Sequence, residues 1–241
     1  MRLHSSFTCL AVGIVLSLCA TAAAADGIPA VPWKLTVGEY LYGDYSGQDV
    51  NLRWHHRDTD AWVGVYQDRV FGTQGRAGVD ASVGLAPWLQ LQPSFQVAAF
   101  GFVGGSLTAQ VGTDAWYGYA GIGRTNLKLY FNLNFDPNDA LTFGVGHNAE
   151  DGNVYSVFLV ADDRLHTRQR DWHANARLNT RGMRVTVDVL RKSGLSDVGY
   201  VAAWGASINW DVSRWFIRVA RDPYQNFAAT SAWRVVSGVR F

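Results

Sequence analysis

From Trp33 onward apolar and polar residues alternate with a period of two, the spacing at which successive side chains of a strand point to opposite faces. The clearest run is 126–136, with Leu127, Leu129, Phe131, Leu133 and Phe135 on one side and Lys128, Tyr130, Asn132 and Asn134 on the other. Residues 49–57 repeat the pattern, setting Val50, Leu52 and Trp54 against Asn51, Arg53, His55 and Arg57. Residues 170–179 do so again, with Trp172, Ala174, Ala176 and Leu178 opposed by Asp171, His173, Asn175 and Arg177. No helix has this period, so all three read as strands. Weaker versions occur over 33–37, 79–85, 89–97, 183–189, 200–210, 215–219 and 233–241.

Turn chemistry separates these runs, as at Asp58-Thr59-Asp60, Ala86-Pro87, Asp136-Pro137-Asn138-Asp139, Asn179-Thr180-Arg181-Gly182 and Asp211-Val212-Ser213-Arg214. Longer polar connections lie near 42–48, 71–76, 162–169, 191–197 and 222–231. Short turns at one end and long loops at the other are the habit of outer-membrane barrels.

Alternation alone does not say which face is the interior, because a soluble β-sandwich has the same pattern. Three features turn the apolar face toward lipid. Residues 1–25 have a basic start, an apolar core from Phe7 to Leu18 and Ala23 and Ala25 before Asp26, the three parts of a cleaved secretory signal. Tryptophans 33, 54, 88, 116, 172, 210, 215 and 233 fall near strand ends, where rings with one polar edge suit a headgroup level. The last strand ends on Phe241, with Val239, Val235 and Trp233 on the same face and Ser237 interrupting it, and resembles the C-terminal signal read by the barrel-assembly machinery.

The fold expected over 26–241 is all-β, a transmembrane antiparallel up-and-down β-barrel of about 12 strands, within a range of 12 to 14, in the Gram-negative outer membrane. The candidate runs number nearer 14 or 15, and the excess is assigned to the glycine-rich stretch 101–124.

Composition narrows the function classes. Hydrophobic residues make up 48% of the 241, yet beyond the leader no apolar run approaches the roughly 20 residues of a membrane helix. Twenty-one basic residues nearly balance 20 acidic ones, so no global charge points to nucleic acid. Both cysteines, Cys9 and Cys19, leave with the signal, and Leu18 before Cys19 argues against a lipid-modified cysteine. Disulfides, thiolate metal sites and cysteine nucleophiles are thereby excluded from the mature chain.

With the apolar face on lipid, the opposite face fills the lumen. Arg53, His55, Arg57, Lys128, His173, Arg177, Arg184, Arg218 and Arg234 are the expected pore-lining residues. They outnumber the inward acids counted beside them, Asp49, Asp80, Asp171 and Asp188, and cationic rings favour anions in a pore. A closed barrel with these arginines paired to acids is the alternative. His55 and His56 point to opposite faces and cannot share a metal ion. Ser156 and His147 are the residue types of a lipid- or lipopolysaccharide-modifying hydrolase, but no Gly-x-Ser-x-Gly motif accompanies them. No catalytic residue, metal or cofactor is assigned. Gly38, Gly64, Gly84, Gly118, Gly121, Gly123, Gly144 and Gly146 inside strand-like runs set either bore width or packing geometry.

In mature length, strand patterning and inward arginines the chain resembles the small monomeric 12-stranded porins of the oligogalacturonate and sialic-acid type. The resemblance rests on architecture rather than on a shared motif. It implies passive uptake of small anionic solutes such as organic acids, carboxylates or sulfonates. The partners it implies are outer-membrane lipid, the assembly machinery and a cognate inner-membrane transporter. A lumen combining arginine with Tyr66, Tyr117, Tyr119 and Tyr130 would suit an aromatic acid.

The mature chain, beginning near Asp26, is expected in the outer-membrane fraction as a heat-modifiable band on electrophoresis. Phe241→Ser should lower assembly without altering export, and a soluble periplasmic protein would refute the barrel.

Overall fold

The computed structural model describes residues 31–180 and 182–241. The expected signal over 1–25 and its cleavage before Asp26 lie outside the described residues. Fifteen strands follow one another: β1 (Trp33–Leu41), β2 (Ser46–His56), β3 (Thr59–Asp68), β4 (Gly72–Ala81), β5 (Val83–Ala86), β6 (Leu89–Ala98), β7 (Phe102–Gly112) and β8 (Trp116–Thr125). The second half holds β9 (Ala140–Asn148), β10 (Val154–Asp162), β11 (Arg170–Thr180), β12 (Met183–Ser196), β13 (Gly199–Val212), β14 (Trp215–Asp222) and β15 (Ala232–Arg240).

Each pairs antiparallel with its neighbours in sequence, and β15 returns to β1 with Lys34 opposite Arg240 and Leu41 opposite Trp233. β4 and β5 form one stave, since both meet β6 in a single register, Asp80 opposite Ser94 and Val83 opposite Leu91. The molecule is therefore a closed up-and-down barrel of fourteen staves, the upper end of the expected range. Closure matters because a bilayer offers no water to an unpaired strand edge. The seam is tied at its end by reciprocal bonds, the Trp33 N–H to the Phe241 carbonyl and the Phe241 N–H to the Trp33 carbonyl, both 2.9 Å.

The period of two sorts the side chains as a membrane barrel requires. Val50, Val63, Val65, Phe143, Val145, Val157 and Ile217 stand exposed on the outside, while Asp49, Gln74, Thr108, His173, Asp188 and Asp211 are buried within. Both termini of the barrel share one end with connections of at most five residues; the opposite end carries connections of up to fourteen. By the habit of such barrels the long-loop end faces outward from the cell.

One expected strand is absent. Residues 126–136 lie in the fourteen-residue connection between β8 and β9, which turns into the lumen instead of joining the wall. Alternation reports an extended backbone, and here both sides of that backbone meet protein: Tyr130, Asn132, Leu133 and Phe135 are all buried. The positive φ of Leu127, 58°, breaks the chain away from β8. The glycine-rich stretch 101–124, to which the excess was assigned, instead makes two regular strands, β7 and β8. Leu129 and Phe131, placed on lipid by their parity, accordingly belong to this segment and not to the lipid face.

At two glycines the choice between bore and packing is decided. A Cβ on Gly146 would lie 2.2 Å from the Tyr117 ring and one on Gly144 2.4 Å from the Tyr119 ring, so these glycines are seats for cross-strand tyrosines.

Phe143→Arg or Val145→Arg, outward at mid-strand, should cost about 2–4 kcal/mol in folding into lipid vesicles. Leu129→Arg should cost little. Equal losses, read from urea titrations, would show the assignment of faces to be wrong.

Candidate functional site

Asn126 still donates its N–H to the Val103 carbonyl of β7 at 2.9 Å, but residues 127–139 have no strand partner, and side chains satisfy part of their backbone instead. Gln74 of β4 donates its Nε2 to the Phe131 carbonyl at 2.9 Å and accepts the Phe131 N–H at 2.7 Å. This reciprocal pair copies what a neighbouring strand would offer. Gln225, in the connection after β14, donates to the Asn132 carbonyl at 3.1 Å, and Arg234 of β15 donates to the Leu133 carbonyl. Within the segment the Asn132 amide donates to the Asp136 carbonyl at 2.9 Å. His173 of β11 bridges Asp136 at 2.8 Å and Asp188 of β12 at 3.0 Å. At the far end Asp139 accepts the Thr125 N–H at 3.1 Å and a guanidinium N–H of Arg164 at 2.8 Å.

Rings complete the anchorage. Phe131 stacks on Tyr66 with centroids 4.7 Å apart, and Tyr130 on Phe102 at 4.3 Å. The Arg234 guanidinium lies 4.0 Å from the Phe135 ring centre. Stacked pairs of this kind add to the apolar area they bury.

The lumen around the segment is divided unevenly. Toward β8–β12 it is packed with Tyr117, Tyr119, Phe158 and Val160, and with a fully buried ion pair between Lys192 and Asp222 at 2.7 Å. Against the wall of β1–β4, β6, β7 and β13–β15 it opens into a cavity of about 380 Å³, bordered on the segment side by Tyr130, Leu133 and Asn134.

Five cations line that cavity, Lys34, Arg53, Arg76, Arg218 and Arg234, against three acids, Asp49, Asp60 and Asp80. The acids are engaged: Arg76 meets Asp49 at 2.5 Å, and Arg53 reaches Asp80 at 3.5 Å and Asp60 at 3.7 Å. Among the described residues no carboxylate lies within ion-pair distance of Lys34, Arg218 or Arg234. Lys34 sits 4.4 Å from the Phe216 ring centre, and Arg218 bonds only the Ser207 hydroxyl, at 3.3 Å. Arg234 is 5% exposed, and its Nε and Nη2 have no protein acceptor among the described residues.

Of the expected pore-lining residues, then, Arg53, Arg218 and Arg234 border one cavity. His55 and Arg57 stand exposed at the short-turn mouth, His55 beside Asp60 at 3.3 Å. Lys128 lies exposed on the segment rather than on a strand. His173 is buried, stacked 4.4 Å from Phe158, and is an anchor of the segment, not a pore-lining group. Arg184 pairs with Asp211 at 3.5 Å, and Arg177 faces inward from β11, half-buried and engaged.

The expected excess of inward bases is not found over the whole lumen, because Asp60, Asp68, Asp211 and Asp222 also face inward. The excess is confined to the cavity. Lys34 and Arg76, which the reading of the sequence missed, belong to it; the short alternation over 33–37 gave the parity of Lys34. Of the four tyrosines proposed for an aromatic solute only Tyr130 borders the cavity, the others being packed into clusters. Ser156 faces the lumen, while His147 faces out from the adjacent strand with its Nδ1 2.9 Å from the Ala115 carbonyl. Opposite faces of the wall cannot supply one catalytic pair.

Gln74→Leu leaves the Phe131 N–H and carbonyl unpaired and should lower stability by about 1–3 kcal/mol. It should also expose 126–139 to protease in the folded barrel. Unchanged stability and cleavage would show that the segment is held by its rings alone.

No family model and no curated protein matches the chain. Among solved structures it resembles the outer membrane protein Omp33 of Acinetobacter baumannii, at 10% identity and a TM-score of 0.58 over 88% of this chain and 98% of that one. It also aligns with the KdgM porin in complex with disordered oligogalacturonate, at 8% identity and a TM-score of 0.48 over 86% of this chain and 99% of that one. Identity this low establishes the fold alone. Together with the apolar exterior and the closed seam, it makes the chain an outer-membrane β-barrel.

Proposed function

We propose that the barrel is a channel for passive uptake of small solutes, and that it favours small anions such as carboxylates or sulfonates. The observation that carries this reading is the cation set of the cavity, above all the Arg234 guanidinium, whose Nε and Nη2 nitrogens lack a protein acceptor among the described residues. A buried guanidinium left without acceptors is costly. An oxyanion in the cavity supplies them, and a guanidinium suits the planar, two-oxygen edge of a carboxylate or sulfonate. Lys34 and Arg218, with no carboxylate within ion-pair distance among the described residues, add positive potential along the same wall. The inward segment narrows the passage, so that a solute moves within the reach of these charges. An inner-membrane transporter for the same acid would complete the uptake route.

The packed side of the lumen favours a second reading, a closed structural barrel. The two are separated by planar-bilayer recording of the purified protein. A salt gradient should give discrete openings with a reversal potential of the anion-selective sign. Lys34→Gln and Arg218→Gln should move it toward neutral with assembly intact. Raising salt should have the same effect, since the Debye length falls from about 10 Å at 0.1 M to about 3 Å at 1 M. Silence would favour the closed barrel, and cation selectivity would overturn the proposed mechanism.

A further inference from the structure

The outside of the barrel carries a second arrangement that conduction does not use. Trp172, Arg191, Trp204, Arg221 and Trp233 occupy outward positions on the adjacent strands β11 to β15, one residue to each. Trp172 lies directly opposite Arg191, Arg191 opposite Trp204, and Arg221 opposite Trp233. Arg221 faces Ala206, the next outward position below Trp204, so the row continues diagonally between β13 and β14. The Arg191 guanidinium lies 5.5 Å from the Trp204 ring centre, and Arg170 stands exposed two residues above Trp172 on the same face.

The three tryptophans are about half exposed or more, at 49%, 64% and 52%. Among the described residues none of Arg170, Arg191 and Arg221 has a carboxylate within ion-pair distance. Elsewhere on the outer rim the charges are different. Arg124 is neutralised by Asp163 through two bonds of 3.0 and 2.7 Å, and on β1 to β3 the outward residues one position below the level of Trp233 are Glu39, Gln48 and Gln67. Among the described residues, the outward strand cations without a carboxylate are thus gathered on β11, β12 and β14 at the long-loop end. Below them the exposed wall is aliphatic, with Val189, Ile217 and Val235.

We infer that this face binds the phosphate groups of a phosphorylated glycolipid of the outer leaflet, of lipid A type. A row of arginines braced by tryptophan rings provides fixed donors at headgroup height. Guanidinium groups match phosphate oxygens in pairs, and cations beside an anionic membrane surface add to one another. The acyl chains then run down the aliphatic wall. The site lies on the opposite face of the wall from the cavity and does not depend on what the lumen conducts.

The test uses the purified barrel in detergent, stripped of lipid, and measures binding of bisphosphorylated lipid A, its phosphate-free form and phosphatidylglycerol by native mass spectrometry. The wild type should bind the bisphosphorylated lipid at least about tenfold more tightly than either of the others. In Arg191→Gln/Arg221→Gln that preference should be lost, with heat-modifiable mobility and single-channel conductance unchanged. Equal wild-type affinity for the phosphorylated and phosphate-free forms overturns the assignment, as does a preference that survives in the variant. Phosphatidylglycerol bound as tightly as lipid A overturns it too, reducing the face to a general anionic-lipid surface. The wild-type comparison among the three lipids stands even if the variant fails to assemble.

Discussion

Everything in this molecule follows from the need to satisfy backbone hydrogen-bonding groups where there is no water. In the wall that need is met by strand pairing and by the β1–β15 seam, which leaves no edge. Inside the wall it is met differently. Non-helical backbone at membrane depth is tolerated only when protein or a wet cavity covers it, and 126–139 has both. Gln74, Gln225 and Arg234 stand in for the missing strand on one side, and the 380 Å³ cavity borders the other. The segment needs the barrel to stay extended, and the barrel needs the segment to fill what fourteen staves enclose.

Closure also fixes where charge goes. With alternate side chains committed to lipid, the polar residues of fourteen staves share one lumen, and several of its charges pair with those of adjacent or next-but-one staves. Lys192 with Asp222, Arg76 with Asp49, and Arg184 and Arg240 with Asp211 are such pairs. Buried pairs contribute little net stability, because desolvation cancels most of their attraction, but each leaves no charge for a solute to meet. What remains after pairing, rather than the inventory of inward bases, sets the potential along the passage.

The wall was legible in the sequence because lipid on one side and a polar lumen on the other force a strict alternation, as in 49–57 and 170–179, which became β2 and β11. The segment was misread for the same physical reason. Residues 126–136 alternate more cleanly than most true strands, and over 131–135 the rings of Phe131 and Phe135 pack on one side while Asn132 hydrogen-bonds on the other, which imposes the same period. Periodicity records a backbone between two unlike surroundings and not which surroundings those are. The site was legible only by halves. Parity placed Arg53, Arg218 and Arg234 inside, but which of them meets a carboxylate depends on the register between adjacent and next-but-one staves, which alternation does not record.

The contrast between Lys192 and Arg234 carries the last step. Both are almost wholly buried cations on the inner face, in strands with two staves, β13 and β14, between them. Lys192 lies in the packed half with Asp222 at 2.7 Å, as a dry interior demands. Arg234 faces the cavity with one N–H on the Leu133 carbonyl, its plane over Phe135, and Nε and Nη2 unsatisfied by protein. Under the proposed function, water or an oxyanion in the cavity meets those two nitrogens. The same side chain helps hold the segment in the lumen and presents charge to the space the segment leaves, so the position of the segment and the proposed preference for anions meet in one residue.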